Sequence, residues 1–397
     1  MFSNKSAAWI MWFIGSIFYA YQYVLRVMPN IMMQDIMLKY QINAAVFGQF
    51  SGVYYIGYAL VHIPVGILLD RFGPKKIMPI FMILTVIGMA PLVFSDFWLY
   101  PIIGRTLIGI GSSSAILGVF KIIRMSFSEE KFAWMLSLSV TIGLLGAIYG
   151  GAPVQYLHQY FGFEQVVIFA MMTGLFLSAI TFWVLPKYEA NQHPQGMIQE
   201  IRTVFGNAKV IGICILAGLM VGPLEGFADV WGTTFLKTVY GIDATVAAGL
   251  PSMMYFGMMF GGPALSFIAE KTKGYLSVVF ACAVVMALAF VVLLTTAMST
   301  AALSVLFFVV GMLCAYQILA IAYAATCVPK QVAGLTSAVA NMIIMLFGYV
   351  FHAVMGKIID VFAMTPEGFI FGIGVIPTAL AMAAVGFGWM IVRQKRS

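Results

Sequence analysis

Gly66-Ile67-Leu68-Leu69-Asp70-Arg71-Phe72-Gly73-Pro74-Lys75-Lys76 joins two apolar runs, 44–69 and 77–96. Each run has the roughly 20 residues that a helix needs to cross about 30 Å of hydrocarbon. A charged turn between two such runs belongs at a membrane surface, so the chain is read as one that threads a bilayer. Within the turn an acid closes the first helix, glycines permit a tight reversal, and bases follow. That order suits a latch whose bases pair with acids or helix ends elsewhere in a helical bundle.

Composition agrees with this reading. Hydrophobic residues make up 62% of the 397, charged residues 9%, and mean hydropathy is +1.00. A soluble domain is about a quarter charged, and 21 Lys and Arg with 14 Asp and Glu cannot coat a soluble core of this size. Two or three soluble domains are therefore excluded. The net charge of +7 forms no nucleic-acid patch. Cys214, Cys282, Cys314 and Cys327 lie in apolar runs without CxxC spacing, so they read as small buried hydrophobes rather than metal ligands or disulfides. The first apolar run, 8–33, is long enough to span rather than to serve as a cleaved leader.

Twelve runs of spanning length are expected: 8–33, 44–69, 77–96, 99–123, 133–157, 164–185, 210–235, 245–269, 275–297, 301–326, 334–358 and 367–392. The polar stretch from Pro186 to Lys209 divides them six and six. The expected organisation is an N-terminal bundle at 1–186, a cytoplasmic linker at 187–209 and a C-terminal bundle at 210–397. With both termini in the cytoplasm, 15 of the 21 Lys and Arg residues fall inside; only Lys39, Lys237 and Lys357 fall outside, and Arg26, Arg105 and Lys121 lie within helices. That split satisfies the positive-inside rule. At a constant offset of 200, Tyr40 falls on Tyr240, Tyr55 on Tyr255, Gly57 on Gly257, Asp70-Arg71 on Glu270-Lys271 and Gly111 on Gly311, which argues for duplicated halves in parallel topology.

The opening run resembles the cytoplasmic signature of the major facilitator superfamily, G-x-L-x-D-R-x-G-R/K-R/K, carried here by Gly66, Asp70, Arg71, Gly73, Lys75 and Lys76 as a cytoplasmic gate. Its second-half counterpart, Gly262 through Gly274, is degenerate. Arg105-Thr106-Leu107-Ile108-Gly109-Ile110-Gly111 is similar to the family's R-x-x-x-G-x-G element, which implies a coupling or packing role for Arg105. The fifth span carries Gly143, Gly146, Gly150, Gly151 and Pro153 without the antiporter spacing, and reads as close helix packing. The resemblance implies an all-α fold of two six-helix bundles, alternating access, and function as a monomer without a cofactor.

Charges inside a span cost roughly 2.5–3.5 kcal/mol each on insertion scales and mark candidate sites. Tyr19, Gln22, Tyr23, Pro29 and Asn30 lie 3, 4 or 7 residues from Arg26, on one helical face, as expected for a solute pathway. Lys121 is the expected deep anion contact of the fourth span, whereas Arg124 is expected to reach the headgroups. The second span adds Ser51, Tyr55, Tyr58 and His62, the tenth Tyr316, Gln317 and Tyr323, and the eleventh Asn341, Gly348 and His352. The seventh carries Glu225 and Asp229 after Gly222-Pro223; with Arg105 these are the expected proton-coupling residues.

No Walker loop, HExxH or Ser-His-Asp grouping points to an enzyme. Bases in the first half and acids in the second suit a solute bearing a carboxylate, bound by Arg26 or Lys121, with Glu225 meeting an amino group. Phe18-Tyr19-Ala20-Tyr21-Gln22-Tyr23-Val24-Leu25-Arg26-Val27-Met28-Pro29 resembles a signature of the superfamily branch with dipeptide carriers and bacterial nutrient or carboxylate-siderophore carriers. The resemblance implies import of an amino acid or dipeptide, the expected membrane being a bacterial inner one; the titratable carboxylates, with no sodium cage recognisable, make protons the expected coupling ion, in symport. A polycarboxylate siderophore, drug efflux and a non-transporting receptor stand as alternatives.

Overall fold

The computed structural model describes residues 5–186, 197–329 and 332–396. The linker residues Lys187, Glu189, Asn191 and His193 therefore lie outside the described residues. Among the described residues, eleven helices are long and apolar enough to span, and a bent pair supplies a twelfth. They are α1 Ser6–Ile31, α2 Ala44–Leu60 with His62–Phe72, α3 Pro74–Phe94, α4 Leu99–Ser126, α5 Glu129–Phe161, α6 Phe163–Val184, α7 Ala208–Tyr240, α8 Ala244–Thr272, α9 Tyr275–Thr295, α10 Thr300–Thr326, α11 Ala333–Val361 and α12 Pro366–Gln394. The first span ends two residues before the expected Met33, and a separate helix, Met33–Tyr40, follows it.

Proline places several of the breaks. A proline lacks an N–H and its ring collides with the carbonyl four residues earlier. Pro64 stands four residues after Leu60, where α2 bends by 47°; Pro153 stands four after Tyr149, where α5 is interrupted at Gly150-Gly151. Pro223 follows Leu219 by four, and α7 breaks between Gly218 and Gly222. Pro79, Pro91 and Pro263 sit in helices that continue through them.

The helices form two compact units by contact, Met1–Ile42 with Val53–His193 and Asn43–Gly52 with Pro194–Ser397. In the first unit the glycines of α5 seat directly on α1: a Cβ at Gly146 would strike the Ala20 carbonyl, and one at Gly143 would meet the Tyr19 ring at 2.6 Å. In the second, the start of α2 lies against α11, where a Cβ at Gly48 would strike the His352 carbonyl and one at Gly52 would meet the Tyr349 ring at 2.9 Å. Small residues spaced four apart allow such close approach.

The two units repeat each other in detail. Tyr40 donates to the carbonyls of Leu92 and Ser95, while Tyr240 donates to those of Leu293 and Thr296. The next residue is left-handed in both, Gln41 at φ 52° and Gly241 at φ 64°. The offset is not constant, however. A Cβ at Gly109 would strike the Tyr54 carbonyl and one at Gly311 the Met254 carbonyl. The structural mate of Gly311 is thus Gly109 rather than Gly111. The offset grows from 200 in α2 and α8 to 202 here, so the expected Gly111–Gly311 match is corrected.

Burial first, then the charges of Asp96 and Glu164, push the Tyr40 phenol from 10.0 to about 12. A folded-state value above the unfolded one stabilises the protonated native form, so this contribution is lost as pH rises between about 10 and 12. Gly73, at φ 75°, turns the chain from α2 into Pro74. Gly73→Val is expected to cost about 1–3 kcal/mol, since φ 75° with ψ 165° is a region that glycine alone adopts freely, read as a lower apparent melting temperature in detergent.

Candidate functional site

Each unit holds its own cluster of buried polar residues. In the first, Arg26 is 6% exposed and Arg105 2%. Pro29 has no N–H for the Leu25 carbonyl, and Arg105 supplies the missing donor: Nη1 donates to Leu25 O at 2.7 Å and Nη2 to Arg26 O at 3.0 Å. Arg105 thereby fixes the backbone that carries Arg26. The Arg26 guanidinium lies over the rings of Tyr23 and Tyr55, 5.1 and 5.2 Å from their centroids. Tyr19 and Tyr23 share a 3.5 Å hydroxyl contact, and Tyr19 is within electrostatic range of Tyr58 and Arg26.

Tyr54 completes this cluster, and the sequence reading passed over it. Its hydroxyl donates to Gln22 Oε1 at 2.7 Å, its ring lies 4.8 Å from the Arg105 guanidinium, and it stacks on Tyr58. The signal was present: Tyr54 is three residues after Ser51 and four before Tyr58, on the face already chosen.

Arg105→Ala is expected to destabilise the protein by about 3 kcal/mol, the scale of two hydrogen bonds from a charged donor. Lysine at this position reaches only one of the two carbonyls and should fall between, as thermal unfolding of the three proteins would show.

In the second unit, Gly222–Trp231 of α7 is a π-helical segment. Such turns are rare and concentrate at functional sites. It holds Glu225 and Asp229, 1% and 0% exposed. The Tyr255 hydroxyl of α8 donates to Asp229 Oδ1, and His352 Nε2 of α11 meets the Glu225 carbonyl. Gly222 and Gly226 leave room for Phe351 of α11. Glu225 lies within electrostatic range of Tyr316 and Cys314, and the Tyr316 hydroxyl donates to Ala217 O at 2.7 Å. Gln317 is 9% exposed, next to Tyr316. Tyr255, missed as a site residue, was visible as the offset partner of Tyr55.

Three expectations change. Lys121 pairs with Asp70 Oδ1 at 2.7 Å, so its charge is engaged at the α2–α3 turn and not in the Arg26 cluster. Tyr323 contacts Gln394 at 3.4 Å and lies under Lys209, near the start of α7 and the end of α12 and away from Glu225. Cys327 follows the last turn of α10 and is half-buried, unlike the other three cysteines. Asn341 is half-buried on α11.

In the signature turn, Lys75 Nζ donates to Leu185 O at the end of α6, at 2.7 Å, so one base does pair with a helix end across the bundle. Arg71 lies over Phe72, Lys76 is exposed, and a Cβ on Gly66 would meet nothing within 4 Å.

Residues 11–351 match the family model described as Major Facilitator Superfamily. A curated relative, the putative metabolite transport protein NicT of Pseudomonas putida, is 24% identical over 163 residues, 37% of this chain; the chain thus spans only 36% of that relative's length. Among solved structures, the nucleoside transporter NupG aligns with a TM-score of 0.77 at 15% identity, over 96% of this chain and 99% of that one. A bacterial homolog to the human lysosomal transporter Spinster aligns at 0.72 and 16% identity, over 97% of each chain. These two likenesses concern the fold.

Proposed function

The chain belongs to the major facilitator superfamily, and from that premise we propose that this integral membrane protein is a secondary active transporter of a small carboxylate-bearing solute. The class is that of an amino acid, a dipeptide or a similar nutrient, moved by alternating access as symport with protons. The observation that carries the reading is the buried Arg26 guanidinium between the faces of Tyr23 and Tyr55. A guanidinium presents a planar fork of N–H donors that matches a carboxylate. Tyrosine faces hold the cation at about 0.5–2 kcal/mol per contact.

Coupling falls to the second unit. A carboxyl group buried in a π-helical turn changes its charge on taking up a proton, and Glu225 and Asp229 are two such groups on one segment. Protons suit this better than sodium, for which no dedicated set of oxygen ligands is recognisable in the sequence. Asp70, Arg71, Lys75 and Lys76, with Gly66 and Gly73, serve as a gate on the cytoplasmic side, the Lys121–Asp70 pair being part of it. The 15-to-3 distribution of bases supports cytoplasmic termini, in a bacterial inner membrane, and one chain suffices for transport.

The test is uptake of labelled amino acids, dipeptides and citrate-type siderophores by cells expressing the protein, with the proton gradient intact or collapsed. Gradient-dependent accumulation of the first two classes supports the reading. Siderophore uptake alone replaces the substrate class, and saturable binding without counterflow makes the protein a receptor.

A further inference from the structure

A second binding site lies in the second unit, at the end where α7 begins and α12 finishes. A cavity of about 560 Å³ opens there between α7, α9 and α12, within the size range of ~300–1,000 Å³ typical of small-molecule pockets. Its walls are apolar: Gly212 of α7, Leu276 of α9 and Met390 of α12. Gly212 keeps the cleft open, since a Cβ there would meet the tip of Met390 at 3.0 Å.

The mouth is basic and aromatic. Lys209 and Arg393 line it and are exposed; Lys209 lies over Tyr323 and Arg393 over Trp389. Trp389 is 59% exposed, as befits a ring at a membrane interface. None of the eight lining residues is acidic. Two more bases, Lys271 and Lys273, are exposed on the turn that leads into Leu276, directly after Glu270.

An apolar cleft in a membrane-spanning unit, closed at one end by two cations and an interfacial tryptophan, is complementary to one kind of molecule. We propose that it binds an anionic phospholipid, with an acyl chain against Gly212, Leu276 and Met390 and the headgroup phosphate between Lys209 and Arg393. Basic residues beside a bilayer select anionic headgroups. A zwitterionic lipid fills the cleft equally well but gains less from the two charges. Free phosphate has the charge without the chain.

The experiment reconstitutes the full chain with phosphatidylglycerol or phosphatidylcholine brominated on the acyl chain. The Trp389 signal is the fluorescence difference between the wild type and W389F. Quenching of that signal is expected to favour phosphatidylglycerol by about thirtyfold in apparent affinity, given two cations near the surface at about 1 kcal/mol each. K209Q with R393Q should abolish the preference, K209R with R393K should keep it, and G212L should weaken quenching by both lipids. Excess inorganic phosphate should not compete. Equal quenching by the two lipids, a preference that survives K209Q with R393Q, or displacement by phosphate alone overturns the proposal. Thermal unfolding of each variant checks that the unit remains folded, and the Arg/Lys exchange separates charge from fold.

Discussion

Arg26→Ala is expected to lower initial uptake by about two orders of magnitude while the protein still folds. Removing one partner of a buried charge-assisted contact costs roughly 2–5 kcal/mol, and each 1.4 kcal/mol is tenfold. The backbone at Arg26 is held by Arg105 through carbonyls, at 2.7 and 3.0 Å, and that hold survives truncation of the Arg26 side chain. Arg26→Lys should restore little, because an ammonium lacks the planar fork and stacks less well on Tyr23 and Tyr55. Counterflow in proteoliposomes measures the defect. Wild-type counterflow in Arg26→Ala would remove the guanidinium from the solute's path.

Glu225→Gln is expected to uncouple the cycle rather than stop it. The amide keeps the size of the carboxyl and cannot release a proton, so gradient-driven accumulation should vanish while exchange of internal for external solute persists. The His352 contact is to the Glu225 backbone carbonyl, so the local fold should tolerate the change. Asp229→Asn should be milder, because asparagine retains an oxygen to accept the Tyr255 hydroxyl that now reaches Asp229. Accumulation by Glu225→Gln equal to wild type would move the coupling role elsewhere.

The fold was legible because a bilayer imposes a length on every apolar run. Twelve spans could be counted, and most of their ends fell within a few residues of the structure. The residues around Arg26 were legible for a related reason: a polar stripe on a membrane helix needs a polar neighbour, and the stripe from Tyr19 to Asn30 had one on α2. What escaped depended on distances along the chain that local spacing does not encode. Lys121 looked deep because it lies in α4, yet a flexible four-carbon stem carries its charge to Asp70 at the membrane end. The π-helical form of Gly222–Trp231 was beyond pattern reading. Gly222-Pro223 announced a break in the helix but not the wider turn that buries both acids. Arg105 is the instructive middle case: the resemblance marked it, and only the Pro29 spacing, with Leu25 four residues earlier, explains what it does.

The most direct test of proton-coupled carboxylate transport is an imposed pH gradient across proteoliposomes containing the purified wild-type protein. Labelled amino acids and dipeptides, supplied outside at the acidic side, should accumulate above their external concentration, and a protonophore should abolish the accumulation. Uptake that merely equilibrates, or that is indifferent to the gradient for every carboxylate-bearing solute tried, would contradict the account.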